Sequence, residues 1–374
     1  MTVITGWMAW KFVPKLIRRV FGNVLADRVE ARRMAWVGVR IRTCGSAEMV
    51  TQVLVLFARW LRMPESGVEG WGWRRFGCAS VCYLKDASVF HVRSGAGQGG
   101  AIQAARQEGM KIVVDHSIAH PKFLATRLGG EFAAKNGLWR DVERDCLDAD
   151  IVLVNSEFVR QTFVDAGFPA DKLRVVYLGV EAMFRGVAQR ADGADVAQQS
   201  DLKLLFVGGF CIRKGADCLL QAMDLLVDRG WKGTLNVVGD RLINTEAWRE
   251  REDIRFHGRV GHEQVVAFLK NTDVFVFPTL AEGCAKAVME AMAAGVCVVT
   301  TRESGAPVVD GVTGFLVAAG DTMALADKLG WLAEHRAVIR KVGGAAAVAL
   351  AEYTWERYAE SVKSLYKELA GCGH

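Results

Sequence analysis

One stretch of the chain decides how the rest is interpreted: PTLAEGCAKAVMEAMAAG, residues 278–295. It follows residues 273–277, which are apolar, β-branched or aromatic from Val274 onward and predict a buried strand. From residue 286 to residue 294 the apolar side chains recur at helical spacing, and Gly295 stands where a helix would end. Residues 273–295 therefore predict the strand, turn and helix of a parallel α/β sheet.

Two glutamates in this stretch, Glu282 and Glu290, are separated by seven residues. The first turn of a helix has N–H groups without intrahelical acceptors, and the helix dipole adds positive potential there. We expect that turn to receive a diphosphate on the backbone of Gly283, Cys284 and Ala285. If residues 282–290 were wholly helical, a rise of about 1.5 Å per residue would separate the two carboxylates by about 12 Å, the scale of a nucleotide sugar.

A second predicted strand, glycine turn and helix occur earlier, in the sequence FVGGFCIRKG at residues 206–215. Gly208 and Gly209 form the turn, and Arg213 and Lys214 supply two positive charges. A guanidinium and an ammonium suit the oxygens of a phosphate group. With the turn at Gly208 and Gly209, these residues are expected to bind an anion.

These motifs resemble the retaining GT-B glycosyltransferases of the type described as glycosyl transferases group 1 and glycosyltransferase family 4, whose signature is the E-x7-E motif. The resemblance runs from about residue 88 to the end of the chain. It implies that Glu282 contacts the donor sugar, that Glu290 holds ribose hydroxyls, and that Arg213 and Lys214 neutralise the diphosphate. It also implies an α/β fold of two Rossmann-like βαβ domains. Their parallel sheets would face an interdomain cleft, and a C-terminal helix would cross back to the N-terminal domain.

The strand and helix pattern predicts the domain limits. We predict an acceptor-side N-terminal domain at residues 1–182, a linker at 183–200, a nucleotide-sugar-binding domain at 201–352 and a final helical segment at 353–374. Residues 1–87 lack the family's usual first strand and glycine-rich loop, so the start is atypical and that strand is missing or divergent. The predicted strands are 37–41, 89–92, 111–115, 151–154, 174–176, 203–207, 234–238, 253–256, 273–277 and 296–300. The predicted helices are 49–61, 101–108, 123–135, 156–166, 216–228, 263–271, 286–294, 322–333 and 355–369.

A histidine marks the end of the predicted strand at residues 111–115. His116 stands where parallel sheets bind ligands, outside the carboxyl end of a strand. The family has a histidine after the corresponding strand, so the resemblance implies that His116 points at the donor sugar, with His120 as the second candidate. A lone histidine at a strand end is also compatible with a structural role.

Two other motifs favour different chemistry. The run GAGQGG at residues 95–100 follows a predicted strand, and Asp115 lies twenty residues beyond Gly95, as in a dinucleotide fingerprint. An NAD-dependent oxidoreductase is therefore an alternative. The run from Asp148 to Asp150 imitates a metal-binding D-x-D motif, but it directly precedes a predicted strand, and we interpret Asp150 as structural.

The N-terminal charge is unusual. Residues 1–60 contain ten basic residues against three acidic ones, interleaved with tryptophan and phenylalanine. This pattern indicates a basic amphipathic surface that could touch anionic lipid, and a solvated basic face without a partner is the alternative. The nine scattered cysteines, the lack of a long apolar run and the basic residues among the first apolar ones indicate a cytoplasmic protein, peripheral at most on the inner face of the membrane.

We predict a retaining hexosyltransferase that needs neither a metal nor an organic cofactor. The donor would be a UDP- or GDP-linked sugar, and the acceptor a glycan, a lipid-linked molecule or a small molecule. No nucleic-acid partner is expected. Besides the oxidoreductase, an inactive sugar-nucleotide-binding protein on the same fold stays open as an alternative.

Overall fold

A computed structural model describes residues 2–5, 40–60, 65–129, 132, 137–187, 201–248 and 251–371. By packing density the chain divides into two compact units. The first unit comprises Met1–His116, Glu131–Leu153 and Tyr366–His374, and the second comprises Ser117–Gly130 and Val154–Leu365.

The first half of the chain alternates strands and helices. In chain order these are β1 (Thr2–Thr5), β2 (Arg40–Thr43), α1 (Gly45–Trp60), α2 (Glu65–Ser80), β3 (Val89–Arg93), α3 (Ala101–Gln107), β4 (Lys111–His116), α4 (Pro121–Leu128), α5 (Gly137–Asp148), β5 (Ile151–Val154), α6 (Glu157–Asp165) and β6 (Leu173–Val175). Strand β1 pairs in parallel with β2, and a separate sheet has the order β3-β4-β5-β6. In β4 the central residues Ile112, Val113 and Val114 are fully buried, as expected for a parallel strand covered on both faces.

The second half repeats the alternation around a larger sheet. Its elements are β7 (Leu202–Val207), α7 (Ala216–Asp228), β8 (Gly233–Val238), β9 (Ile254–Gly258), α8 (His262–Lys270), β10 (Val274–Phe277), α9 (Lys286–Ala294), β11 (Cys297–Thr300), β12 (Phe315–Leu316), α10 (Thr322–Glu334), α11 (Arg336–Ala349) and α12 (Trp355–Gly371). All strand pairs of this sheet are parallel, in the order β12-β11-β10-β7-β8-β9. Phe206, Phe275 and Phe277 are among the large side chains fully buried in its core. The two predicted Rossmann-like parallel sheets are thus confirmed.

The last helix has residues in both units. Helix α12 belongs to the second unit as far as Leu365, and to the first unit from Tyr366. Within the first unit, the Tyr366 hydroxyl forms a hydrogen bond with Nδ1 of His91, which lies on β3. The end of α12 is therefore tied to β3 within the first unit.

Most predicted elements match those of the structure. Nine predicted strands correspond to β3 through β11 with small differences at their ends, whereas β1, β12, α2, α5 and α11 were not predicted. The strand predicted at 37–41 overlaps β2 at residues 40–41, and residues 37–39 lie outside the described residues. The helix predicted at 123–135 is wrong in its extent, because Gly129 takes a φ of 113° and ends α4 at Leu128. Helix α2 contains several glycines, which lower its helix propensity. One of them, Gly72, has no room for a Cβ, which would lie 2.2 Å from the Thr51 side chain of α1.

The predicted linker lies only partly within the described residues. Phe184 is fully buried and packs in the core of the second unit, and the Gly186 N–H donates to the Ala293 carbonyl over 3.0 Å. Residues 188–200 lie outside the described residues. The predicted domain limits stay predictions.

Candidate functional site

The strand order brings two predicted loops together. The chain leaves β7 toward β8 and β9 on one side, and then returns to place β10 and β11 on the other side. In open α/β sheets, ligands bind outside the carboxyl ends of the strands at such a reversal. The 208–215 loop follows β7 and the 278–285 loop follows β10, and these strands are paired directly, with Leu204 opposite Val274.

Arg213 ties the two loops to each other. Its Nη1 lies 2.7 Å from Oε1 of Glu282 and donates to the Ala281 carbonyl over 2.8 Å. Its own carbonyl accepts hydrogen bonds from the Thr279 hydroxyl over 2.9 Å and from the Leu280 N–H over 2.8 Å. These four contacts fix the position of the Glu282 carboxylate relative to β7.

Lys214 adds a second cation beside the same carboxylate. Its Nζ lies 3.8 Å from Oε1 of Glu282 and 5.4 Å from the centre of the Phe277 ring. A Cβ at Gly208, whose φ is 140°, would lie 2.8 Å from this ammonium, so glycine is needed there. Two cations around one carboxylate leave a net charge of +1, which favours an anion at this edge of the sheet.

Gly215 and Gly209 lie where neighbouring atoms approach closely. Gly215 has a φ of 72°, and a Cβ there would lie 1.9 Å from the Pro278 carbonyl oxygen. At Gly209 a Cβ would lie 3.2 Å from the side chain of Leu242. Gly215 therefore lets the two loops pack, although the sequence reasoning gave it no role.

Helix α9 covers Lys286–Ala294, the range predicted for it, and Ala285 is its N-terminal cap with φ −68° and ψ 98°. Residues 282–285 therefore precede the helix. The expectation that residues 283–285 form the first helical turn is therefore wrong, and so is the 12 Å separation based on a continuous helix. The Ala285 N–H donates to the Ser304 carbonyl over 2.8 Å, so it is not available to a phosphate. The N–H groups of the first turn belong to Lys286 and Ala287 instead.

Close packing around Gly283 holds the loop that precedes α9. The Ser156 hydroxyl donates to the Gly283 carbonyl over 2.5 Å. A Cβ at Gly283 would lie 1.9 Å from the Ser117 carbonyl oxygen, and a Cβ at Gly305 would lie 1.9 Å from the Gly283 carbonyl oxygen. The backbone of Glu282 is also held, because its N–H donates to the Glu303 carbonyl over 2.9 Å. The extended loop is thus determined by tertiary contacts.

We expect Gly283→Ala to destabilise the second unit by about 1–3 kcal/mol or more, because backbone atoms of Ser117 cannot move away as a side chain can. Gly344→Ala is the matched control, since nothing lies within 4 Å of a Cβ at that helical position. The control should be neutral or stabilising by about 0.5–1 kcal/mol. Thermal unfolding monitored by circular dichroism measures both. Equal midpoints for the two variants would contradict the close approach.

Glu290 lies in a second group of charges on α9. Lys286 Nζ is 3.9 Å from Oε1 of Glu290 and 3.7 Å from Oε1 of Glu181, and His262 Nδ1 is 3.7 Å from Oε2 of Glu181. Lys286 also lies 5.5 Å from the centre of the Trp355 ring. Burial raises the pKa of Glu290, whereas the positive charges of Lys286 and His262 lower it and Glu181 raises it.

Glu181, His262 and Lys286 were not among the predicted site residues. The spacing of Lys286 and Glu290, four residues apart on one helix, was a usable signal for their pairing. Glu181 and His262 come from distant segments, so only the folded chain brings them to Lys286.

The side chain of Cys284 packs in the core of the second unit. Its side chain is buried and its sulfur lies 3.0 Å from the sulfur of Met289. Burial, together with the nearby negative charge of Glu282, raises the pKa of the Cys284 thiol to about 12. The thiol is therefore neutral and unsuited to nucleophilic attack.

The two candidate histidines have different surroundings. His116 is the last residue of β4 in the first unit, is fully buried, and its Nδ1 lies 2.9 Å from the Ser94 hydroxyl. His120 belongs to the second unit and caps α4, because its Nδ1 accepts the Lys122 N–H over 3.1 Å. Burial, and then the charge of Lys122, lower the pKa of His120 to about 4. His120 is thus a neutral capping residue, and the donor-sugar role of His116 stays a prediction.

The glycine loop at residues 95–100 binds the side-chain carboxyl group of Asp145. The N–H groups of Gly95 and Gly97 donate to one carboxylate oxygen of Asp145 over 2.7 Å and 2.8 Å, and Gln98 Nε2 donates to the other over 2.7 Å. Asp145 is fully buried in the first unit, and burial raises its pKa to about 6. These N–H groups are engaged where a dinucleotide fingerprint would present them to a pyrophosphate, which argues against the oxidoreductase alternative.

The D-x-D run has a structural contact. Asp150 Oδ2 accepts the Ile112 N–H over 2.7 Å and so braces the start of β5 against β4. Among the residues that the structure describes, no cluster of three or more histidine, cysteine, aspartate or glutamate side chains is arranged to hold a metal ion.

Both halves of the chain match glycosyltransferase families. Residues 47–183 match the family described as Glycosyltransferase Family 4, and residues 201–335 match the one described as Glycosyl transferases group 1. D-inositol 3-phosphate glycosyltransferase of Streptomyces griseus is 27% identical over 265 residues, which are 65% of this chain and 56% of that protein. The capsular polysaccharide biosynthesis glycosyltransferase CapM of Staphylococcus aureus is 33% identical over 147 residues, 37% of this chain and 38% of that one. The matches thus span about half the length of these relatives.

Solved structures share the fold. Sucrose-phosphate synthase of Thermosynechococcus elongatus superimposes with a TM-score of 0.66 at 20% identity, over 81% of this chain and 79% of that one. Anabaena HepE, solved in complex with UDP and glucose, gives a TM-score of 0.62 at 14% identity, over 98% of this chain and 100% of that one. The predicted GT-B fold is therefore confirmed.

Proposed function

We propose that the chain is a metal-independent retaining glycosyltransferase that moves a hexosyl group from a UDP- or GDP-linked donor to a glycan, lipid-linked or small-molecule acceptor. The observation that carries the proposal is the Arg213, Lys214 and Glu282 group between the carboxyl ends of β7 and β10. It provides surplus positive charge for a diphosphate and a carboxylate for the sugar. The similarity to UDP-binding and polysaccharide-synthesising enzymes supports it.

In the proposed reaction, the bond between the anomeric carbon and the diphosphate oxygen breaks. The acceptor oxygen bonds to the same face of that carbon, and the acceptor proton passes to the departing phosphate oxygen. Lys214 stabilises the charge that develops on the diphosphate, because its ammonium already faces this site. Arg213 holds Glu282 in place through a salt bridge that the donor need not break. Glu290 would hold the ribose of the donor.

A thermal-shift screen tests the donor class. We expect UDP, GDP or their sugar conjugates to raise the unfolding temperature, and NAD(H) to leave it unchanged. Glu282→Gln should reduce the shift given by the sugar conjugate. Asp327→Asn is the matched control, because Asp327 is also 2.7 Å from an arginine, Arg229, but lies on α10. Stabilisation by NAD(H) without any response to nucleotide sugars would overturn the proposal. Mass spectrometry of the glycosylated product then separates a transferase from an inactive binder.

We expect Glu290→Ala to weaken binding of the nucleoside diphosphate by about tenfold to a hundredfold, because two hydroxyls would lose a charged acceptor. Isothermal titration with the nucleotide found in the screen measures the dissociation constant. Glu334→Ala, at the end of α10, is a control that should bind as the wild type does. Unchanged affinity in Glu290→Ala would show that the ribose lies elsewhere.

The affinity should also depend on pH through Glu290. Its folded-state pKa is raised, so the ionised acceptor is lost as pH falls through a value above that of an ordinary glutamate. Lys286→Met removes the positive charge that most lowers the pKa of Glu290. The loss of affinity should therefore begin at a higher pH than in the wild type. Lys286→Arg retains the charge and should retain the wild-type profile. Titrations between about pH 5 and 8 measure this shift, and identical profiles for Met and Arg variants would contradict it.

We also propose that the protein is cytoplasmic and contacts the membrane peripherally. The basic and aromatic composition of residues 1–60 supports this contact. A membrane location suits a lipid-linked acceptor, one of the acceptor classes above.

A further inference from the structure

Helix α1 presents an apolar stripe to the outside of the first unit. Its exposed members recur at intervals of three, one, three and three residues, as one face of a helix does. They are Val50, Val53, Leu54, Phe57 and Trp60. Trp60 is 75% exposed and Phe57 is 55% exposed, and their rings lie 5.5 Å apart.

The inner side of the same helix is packed. Val55 and Ala58 are buried, and Thr51 lies against Gly72 of α2 so closely that a Cβ at Gly72 would overlap it. The exposed stripe is therefore not the core face of a misassigned helix, because α1 already has one. A stripe of five large apolar side chains is more than the scattered exposure that a soluble surface normally shows.

Helix α2 adds aromatic side chains and a cation. Trp71 and Trp73 are both more than a third exposed. The guanidinium of Arg75 lies 5.1 Å above the Trp71 ring. Tryptophan and arginine are side chains that settle at the boundary between lipid acyl chains and headgroups, with the ring in the apolar layer and the charge toward the phosphates. We call these seven exposed apolar residues and Arg75 the α1–α2 surface.

The charge of the chain is concentrated in the same part of the sequence. Residues 1–83 contain thirteen basic and five acidic residues, a net charge of +8, whereas the whole chain has a net charge of +5. The remaining residues are therefore net negative. Eight of the thirteen basic residues lie outside the described residues, namely Lys11, Lys15, Arg18, Arg19, Arg28, Arg32, Arg33 and Arg62. The sequence around the α1–α2 surface thus favours a partner that is both apolar and negatively charged.

We infer that the α1–α2 surface docks on an anionic lipid bilayer. A bilayer offers acyl chains to the stripe and phosphates to the arginines at the same depth, which a nucleic acid does not. The contact is interfacial, and among the described residues no helix has both the length and the apolar character to cross a bilayer. The inference names the surface for the peripheral contact proposed above, and it holds or fails independently of the transfer reaction.

Vesicle sedimentation of the full chain tests this surface. With vesicles of three parts phosphatidylcholine to one part phosphatidylglycerol, we expect the wild type to sediment, and with phosphatidylcholine alone to sediment much less. Phe57→Ser with Trp60→Ser should lower the partition coefficient at least about tenfold. Val348→Ser on α11, at a residue that is also 75% exposed, is the matched control and should sediment as the wild type does. Raising the salt concentration should weaken the wild-type binding.

If the Phe57→Ser and Trp60→Ser double variant does not fold, a milder variant still tests the surface. Trp60→Phe keeps an aromatic ring and should still sediment, but its fluorescence should be quenched less by brominated lipid than that of the wild type. A wild type that stays in the supernatant with anionic vesicles would overturn the inference, and so would a folded double variant that sediments unchanged. A wild-type dimer that the double variant converts to monomers, without vesicle binding, would assign the surface to a second copy and would also overturn it. Nucleotide binding in the same samples reports separately on the proposed transferase function.

Discussion

Replacing Lys214 by alanine should lower kcat for glycosyl transfer by about 10²–10³-fold, because in the proposed reaction its ammonium stabilises the charge that develops on the diphosphate. The ammonium lies 3.8 Å from the Glu282 carboxylate, whose other cation, Arg213, is already held by the Ala281 carbonyl. Of the two cations, Lys214 therefore has more freedom to turn toward a phosphate. Initial rates of nucleotide release, with the donor identified by the thermal-shift screen, measure the loss.

Lys328→Ala is the matched control for Lys214. Its ammonium lies 4.7 Å from the centre of the Phe315 ring, an arrangement similar to that of Lys214 over Phe277, but it lies on α10. The control should retain the wild-type kcat. A Lys214→Ala enzyme within about threefold of the wild type would contradict the role of Lys214, because a lost charge at the reacting phosphate costs far more.

The second large effect is on stability. Asp145→Ala should lower the free energy of unfolding by about 3–5 kcal/mol, since three hydrogen bonds are lost and the N–H groups of Gly95 and Gly97 stay buried without an acceptor. Asp145→Asn should cost much less, because one amide oxygen can still accept both N–H groups while the Gln98 amide turns. Asp148→Asn is the control, since Asp148 is exposed and its contact with Gln98 is 3.4 Å long. Urea unfolding measures all three.

The free energy of unfolding should also depend on pH through Asp145. Burial raises the pKa of folded Asp145 to about 6, above its ordinary value of 3.8. The folded chain therefore binds the Asp145 proton more tightly than the unfolded chain does. The stability that this proton adds is complete below the ordinary pKa of 3.8 and is lost as pH rises through about 6. Asp145→Asn lacks this component, and its difference from the wild type should change across that interval. A constant difference from about pH 4 to 7 would contradict the raised pKa.

The meeting of Arg213, Lys214 and Glu282 could be predicted from the sequence. Each residue follows a short apolar strand, and parallel strands place their carboxyl ends at one edge of a sheet. Periodicity and glycine positions were enough to find both strands. The resemblance to a glycosyltransferase family then indicated that these two loops belong to one site, which periodicity alone does not show.

Features that depend on distant contacts could not be predicted. The backbone of residues 283–285 was expected to receive a phosphate, but the Ala285 N–H donates to the Ser304 carbonyl and Gly283 packs on Ser117, contacts between segments far apart in the chain. The glycines at 95–100 have a phosphate-binding pattern, but the anion they hold is Asp145, about fifty residues away. Local sequence describes the donors of such a site, and only the tertiary fold determines which acceptor fills it.

The most direct test of the proposed function is a crystal structure of the protein with the nucleoside diphosphate that stabilises it. We predict the diphosphate at the carboxyl ends of β7 and β10, with a phosphate oxygen within about 3 Å of Lys214 Nζ. The ribose should lie on Glu290, and Arg213 should still contact Glu282. A diphosphate bound elsewhere in the chain, with Lys214 turned away from it, would contradict the account.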